Sequence, residues 1–305
     1  MKSSSGILVS VIIVASGSKD YLWRCIDSIK VQTYPDLEVI VIDNFLNTDF
    51  SDKTREAFPS IKLYSNSQNL YYGVSLNKGI GLSHGEFILC LNDDVVLNQD
   101  FIRQALEGFL INNNVGMVSG KILRMNGLTL DSTGLFLSFW YSARERGYGQ
   151  LDKGRFDKPG FIFGVNGAVA FYRKKMLEDI RQGQDYFDSN FRLFYEDLDI
   201  AWRANNRKWK AYYIPEAKAF HVRGGSFRPE YGLNKPFARK YLNDELHAEL
   251  IKNRYFAVVK NASLVGFLVH LFPMVFYDLC SWGYIIFFRP KVAKILFRNL
   301  KCFKI

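Results

Sequence analysis

Cysteine is scarce in this chain. Cys25, Cys90, Cys280 and Cys302 stand far apart and form no CxxC pair. Isolated thiols exclude a disulfide framework and a cysteine-based zinc site, and they fit a reducing compartment. Internal repeats and low-complexity tracts are also missing, so solenoids and disordered tails are excluded. The N-terminus shows one early Lys and a short apolar run, Ile7 to Val14. That run is too short for a secretory leader and reads as a first strand. Acidic residues are fewer than basic ones, 30 against 40, for a formal charge of +10. Such an excess suits nucleic acid, an anionic membrane or a phosphorylated substrate. Much of the positive charge gathers at the C-terminal end beside a long apolar stretch, which favours a membrane over nucleic acid.

What is present is a folded composition, 48% hydrophobic and 23% charged over 305 residues. That length supports one large domain or a domain with an appendage. Aromatics reach 16%, which fits sugar or lipid contact as well as an aromatic core. Residues 8–14 form a continuous β-branched run, as in a strand buried on both faces. Helical spacing follows over about 19–32, then a second buried strand over 37–42 ends in Asp43-Asn44. Strand, helix, strand is a βαβ unit and predicts a parallel sheet. The pattern predicts further strands at 61–64, 87–91, 115–122, 167–172 and 209–214, and helices at about 73–82, 100–111 and 198–205. Residues 124–161, rich in Gly, Arg and aromatics, read as long loops over a site.

In open parallel sheets ligands bind at the carboxyl ends of strands. Asp43, Asp93 and Asp94 all fall at such ends. Carboxylates there suit a divalent cation that neutralises phosphate charge, while Asp43 suits a hydrogen bond from a base or ribose. A polar turn explains either equally simply. A hundred residues on, Glu196, Asp197 and Asp199 lie in the apolar frame of Tyr195 to Arg203. Carboxylates in apolar surroundings gain proton affinity and suit a general base. Acids also favour a helix N-terminus, and both readings can hold together. Asp199 fits the helix-start role better than a catalytic one. His221, ahead of Arg223-Gly224-Gly225-Ser226, suits a metal ligand. His84, His247 and His270 have no such setting and read as structural.

The C-terminal end reads differently. Residues 264–288 are apolar save His270 and Asp278, long enough to span a bilayer, with Pro273 and Asp278 against a simple span. Beyond them Val292, Ile295, Leu296, Leu300 and Phe303 share one helical face, interrupted by Asn299. Lys291, Lys294, Arg298, Lys301 and Lys304 lie on the other side. This is the pattern of a basic amphipathic helix resting on anionic lipid, or of a helix packing on its own domain. Asn253-Arg254-Tyr255 and Lys260, just before, are placed to meet a diphosphate headgroup or to open an exposed helix. The sequon Asn261-Ala262-Ser263 is expected to go unused in a chain facing the cytosol. Two units are expected, residues 1–240 and 241–305.

Over residues 7–225 the motifs, in order, resemble the inverting family 2 glycosyltransferases of the GT-A nucleotide-sugar-binding fold, nearest a bacterial rhamnosyltransferase-like branch. The residues carrying the resemblance are Val9 to Val14, Gln32-Thr33-Tyr34-Pro35, Val41-Ile42-Asp43-Asn44, Asn69 with Gly73, and Asn77-Lys78-Gly79. They continue with Leu91-Asn92-Asp93-Asp94, Gly164-Val165-Asn166-Gly167-Ala168, Tyr195 to Asp199 with Trp202-Arg203, and Tyr213 to Ala217 ending in His221. The resemblance implies a Rossmann-like, mostly parallel sheet flanked by helices, with membrane-associated helices at the C-terminus. It implies that Asp43 contacts the base and that Asn77, Asp93, Asn166 and Gly167 line the donor. Asp94 would close the metal-binding DxD motif, His221 would complete the metal or diphosphate site, and Asp197 would be the catalytic base, with Glu196 as runner-up.

Two departures stand out. Asn92 occupies the first motif position, removing one charge from the metal site, and Ala15-Ser16-Gly17-Ser18 replaces an aromatic-Asn pair after the first strand. The partners implied are a Mg²⁺ or Mn²⁺ ion, a UDP- or dTDP-sugar, a saccharide acceptor on a polyprenyl diphosphate, and the cytoplasmic face of the cell membrane; nucleic acid is not among them. Loops at about 124–161 and 223–237 would close over the site. A sugar nucleotidyltransferase and a non-catalytic binding protein on the same scaffold are the alternatives.

Overall fold

The computed structural model describes residues 6–16, 19–45, 48–222 and 242–300. Strand β1 (Val9–Ala15), helix α1 (Lys19–Lys30) and strand β2 (Leu37–Asp43) form the expected βαβ unit, β1 and β2 being paired in parallel. Helix α2 (Thr48–Ala57), strand β3 (Lys62–Ser65), helix α3 (Tyr71–Gly81) and strand β4 (Phe87–Asn92) extend the unit. Next come β5 (Val95–Leu97), α4 (Phe101–Leu110), β6 (Val115–Arg124), β7 (Leu130–Ser132), β8 (Leu135–Leu137), β9 (Ala143–Glu145), β10 (Gly160–Ile162) and β11 (Val169–Arg173). Helices α5 (Lys174–Ile180) and α6 (Glu196–Asn206) and strand β12 (Lys210–His221) complete the α/β unit.

The main path of the sheet runs β10-β12-β6-β11-β4-β1-β2-β3. β3, β2, β1 and β4 are mutually parallel, and β6 is parallel to β12. β11 is antiparallel to both β4 and β6, so all six of these strands run one way. This is the mostly parallel α/β sheet expected from the strand–helix alternation. Its carboxyl ends bring Asp43, Asn92 and His221 to one rim.

Period-two burial divides the core. Val9, Val11 and Ile13 of β1 face α1 and α4, meeting Leu22, Ile26, Phe101 and Phe109. Ile12 and Val14 face α3, α5 and α6, meeting Leu76, Ile80, Met176 and Ile200. A strand covered on both faces is mostly apolar; Ser10 is the one polar residue of β1, and its hydroxyl donates to Glu38 Oε1 at 2.5 Å.

The structure corrects two expectations about the strands. Residues 124–161 are not one long irregular loop: β7 pairs with β6 at the edge of the sheet, and β8 and β9 form a hairpin. Such three-residue strands are too short to show alternation. β12 continues past Pro215 to His221, because its register with β6 shifts between Ile214 and Lys218. Proline is tolerated at such an irregularity. The 223–237 loop and the 240/241 division lie outside the described residues.

Helix α7 (Asp244–Asn261), capped by the Asn243 side chain on Leu246 N at 2.8 Å, packs on α6. Ser263 caps helix α8 (Leu264–Phe288), 25 residues long and apolar enough to cross a membrane by length and composition. Helix α9 (Pro290–Leu300) folds back on α7, where Val292 and Leu296 bury against Ala248, Ile251 and Ile285. Two residues expected to face lipid therefore pack on protein. Asn253 and Arg254 are also buried within α7, not set at an exposed helix start or open to a headgroup.

Candidate active site

The rim is organised by the acids themselves. Asp43 is buried; Oδ1 accepts from Phe45 N at 2.8 Å, and Oδ2 accepts from the Ser51 and Ser65 hydroxyls at 2.5 and 3.3 Å. The carboxylate thus shapes the turn after β2. Asn77, on α3, is likewise engaged: Nδ2 donates to Phe187 O at 2.7 Å, and Oδ1 accepts from Tyr186 N and Phe187 N at 3.1 and 2.8 Å. It fastens the segment leading to α6.

Asp93 Oδ2 accepts from Ser16 N at 2.7 Å, drawing the turn after β1 to the end of β4. Asp94 Oδ1 lies 3.1 Å from His221 Nε2, joining the ends of β4 and β12. His221 Nδ1 is 2.8 Å from Asp131 Oδ2, and Asp131 Oδ1 is 2.9 Å from Arg124 Nε. Asp131 and His221 are buried. Burial alone would strip the imidazole of its proton. The hydrogen bonds to Asp131 and Asp94 and their charges outweigh that cost and raise its pKa to about 9. Asp131 was not legible in the sequence, because its three-residue strand lies in the segment that reads as loop.

Across the rim, the Asn166-Gly167-Ala168 turn joins two acidic sites. Ala168 O accepts from Asn92 N at 3.0 Å, while Gly167 N donates to Asp197 Oδ2 at 3.0 Å. Asp197 Oδ1 accepts from Leu198 N at 2.7 Å. A Cβ on Gly167 would sit 3.3 Å from Asp197 Oδ2, closer than most such contacts, so glycine keeps the carboxylate uncrowded. Asn166 is buried; its Nδ2 donates to Glu145 Oε1 at 2.5 Å, and its Oδ1 accepts from Ala168 N at 2.8 Å. Tyr72 closes the turn by donating to Gly167 O at 2.5 Å.

The acidic run starts from a strained turn. Phe194 and Tyr195 both take left-handed backbone, φ 70° and 72°. Consecutive non-glycine residues there cost of order 1–3 kcal/mol each and persist only when their surroundings impose them. Asn253 imposes them from α7, donating to Leu193 O and Phe194 O at 2.8 and 2.9 Å. The three acids then diverge. Asp197 is half-buried at the rim. Glu196 is buried; burial first, then the Asp197 charge, lifts its carboxyl well above the usual carboxylate range. Asp199 turns inward to Arg203 Nε, Lys260 Nζ and Asn261 Nδ2 at 2.9, 3.0 and 2.9 Å.

Among the described residues no group of three or more His, Cys, Asp or Glu side chains gathers around a metal-sized space. The Asp94–His221 pair nonetheless fits a divalent ion that displaces the Nε2 proton shared with Asp94. It offers one carboxylate and one imidazole whose far nitrogen is fixed by Asp131, the usual support for a metal-ligating histidine.

A mostly parallel sheet with acids at its carboxyl rim, and a half-buried carboxylate presented on a strained helix start, is an α/β architecture of the GT-A kind. The chain belongs to glycosyl transferase family 2, whose family model matches residues 10–181. Among curated proteins it resembles the poly-β-1,6-N-acetyl-D-glucosamine synthase of Staphylococcus epidermidis, 22% identical over 214 residues, 68% of this chain and 48% of that one. The chain thus spans about half the length of the curated relatives it matches. Among solved structures it resembles the mannosyltransferase PcManGT from Pyrobaculum calidifontis in complex with GDP-Man and Mn²⁺. That match has TM-score 0.58 and 16% identity and covers 98% of this chain and 75% of the other. GalNAc-T7 with UDP, GalNAc and Mn²⁺ matches with TM-score 0.63 and 13% identity, over 84% of this chain and 48% of its own. At these identities the likeness is one of fold.

Proposed function

We propose that the protein is an inverting glycosyltransferase that moves a sugar from a nucleotide-sugar donor to a hydroxyl of a saccharide acceptor. The observation that carries this reading is the 166–168 turn, which bonds Asp197 on one side and, on the other, the backbone of Asn92 at the end of β4, next to Asp93 and Asp94. A base and a diphosphate-binding rim are thereby held in fixed register. Asp197, held by two backbone N–H groups and half-open to the rim, removes the acceptor hydroxyl proton as the oxygen attacks the anomeric carbon. The nucleotide diphosphate leaves from the opposite side, and the single displacement inverts the centre. Asp94 and His221 would hold the Mg²⁺ or Mn²⁺ ion, which when bound neutralises charge on the departing diphosphate. Asp131 keeps the His221 ring oriented, and Ser16 N with Asp93 holds the turn after β1 in place. Glu196 is the poorer candidate, since it is buried and does not open to the rim.

The donor we propose is a UDP- or dTDP-sugar, and the acceptor a saccharide on a polyprenyl diphosphate, in synthesis of cell-surface polysaccharide. The name of the staphylococcal relative and the bare apolar face of α8 support that reading. The protein would work at the cytoplasmic face of the cell membrane, residues 1–240 forming the catalytic unit and 241–305 its seat.

Transfer from UDP-, dTDP- and GDP-sugars with Mn²⁺ or Mg²⁺, read beside the thermal shift each produces, tests this directly. Asp197→Asn should keep the donor-induced shift and lose at least roughly a hundredfold in turnover. Near-normal turnover would remove Asp197 from the role.

A further inference from the structure

Helix α8 is built inside out relative to a helix on a soluble domain. Its outward positions are apolar: Leu264, Leu268, Phe272, Phe276, Leu279 and Phe287 are all exposed, Phe272 by 83% and Phe287 by 80%. Its polar groups turn toward the protein. His270 Nδ1 lies 2.8 Å from Phe139 O, and Asp278 accepts from Arg254 Nη1 at 2.6 Å. Tyr277 stacks on Trp140 at 5.4 Å.

These contacts also fix how the helix lies. Arg254 meets Asp278, Tyr255 accepts from Trp282 Nε1 at 3.0 Å, and Asp244 meets Arg289 at 2.6 Å. The middle and the end of α8 are thus tied by long side chains to α7, the start of α7 lying by the end of α8. α7 in turn carries buried Lys252 and Arg254 and is fastened to α6. A helix standing across a bilayer would drag these charges into hydrocarbon or break free of them, and either is costly.

We infer that α8 lies in the plane of an anionic membrane surface, one face on the protein and the other in the lipid, and does not span the bilayer. This rests on the membrane seat proposed above and specifies its geometry. At 1.5 Å per residue the helix offers an apolar strip about 37 Å long. Charge selects the occupant. Within residues 264–300 the sole acid, Asp278, faces inward, while Lys291, Lys294 and Arg298 of α9 are exposed. An apolar strip bordered by cations suits the boundary between acyl chains and anionic headgroups. Phe139, 73% exposed at the turn of the β8–β9 hairpin, extends the strip toward the rim. The far end of that hairpin, Glu145, holds Asn166.

The test adds the full chain to preformed vesicles of phosphatidylcholine, with or without phosphatidylglycerol, and reads flotation. In a background with Cys280 and Cys302 replaced by Ser, Val259→Cys and Lys291→Cys place one thiol beyond each end of α8. A membrane-impermeant maleimide added outside should label both on floated protein. Lys291→Gln with Lys294→Gln should weaken binding to the anionic vesicles roughly thirtyfold. Labelling at one end until detergent is added would overturn the in-plane geometry and leave the membrane seat standing. Equal flotation on neutral vesicles would overturn the anionic preference. Failure to float, with self-association through α8 seen by cross-linking, would overturn both geometry and seat. None of these outcomes touches the glycosyl-transfer assay.

Discussion

Two adjacent carboxylates in α6 have opposite lives. Asp197 reaches the rim and is held by backbone N–H groups; Glu196 is buried behind it. A carboxyl whose folded pKa is raised contributes stability that is full below its ordinary value, about 4.3, and is lost as pH rises through the raised one. Thermal unfolding followed across pH should show the native chain weakening on the alkaline side, and Glu196→Gln, a neutral mimic, should lose that dependence. The variant should also keep most of its turnover. A loss matching that of Asp197→Asn would mean the pair shares the base role. Asp197 stood out in the sequence as part of an acidic run in an apolar frame. The resemblance named Asp197 and the residues set Asp199 aside; the contacts that separate Asp197 from Glu196 were not legible, because they depend on a turn thirty residues earlier in the chain and on the left-handed entry into the helix.

At the scale of elements, α7 is the brace of the site. Asn253 fastens the strained 193–195 segment, and Lys260 and Asn261 fasten Asp199. Asn253→Ala removes two hydrogen bonds at once and should cost about 2 kcal/mol in a denaturant titration. Turnover should fall while the donor KM holds, since the change displaces Asp197 and leaves the strand-end acids alone. An unchanged turnover at reduced stability would make the brace structural only. The central strands β1, β2 and β4 were legible because each is mostly apolar, as burial on both faces requires. The short strands β5 and β7 to β10 were not, because three residues carry no period. Nor was the inward course of α7, whose Asn, Arg and Lys read as surface residues until their partners on other elements are known.

For the whole molecule, the same buried contacts bear on the division at 240/241. Arg254 bonds to Trp140 O at 2.5 Å and Asn206 to Asn261 O at 3.0 Å, so α6, α7 and the β8–β9 hairpin share one packing unit. Calorimetry in mild detergent should therefore show a single transition with matching calorimetric and van't Hoff enthalpies. Two separated transitions would make residues 241–305 an independent unit.

The sequence by itself determined the mostly parallel sheet, the acids at its carboxyl rim and the apolar C-terminal stretch. Each follows from local pattern: two-sided burial demands mostly apolar strands, acids at strand ends follow such runs directly, and a long apolar run is visible in the sequence itself. Only the tertiary structure decided which acid is open, what supports His221 and how α8 lies. Those depend on partners distant in the chain — Gly167, Asp131, Arg254 — whose proximity is a property of packing and leaves no period in the sequence.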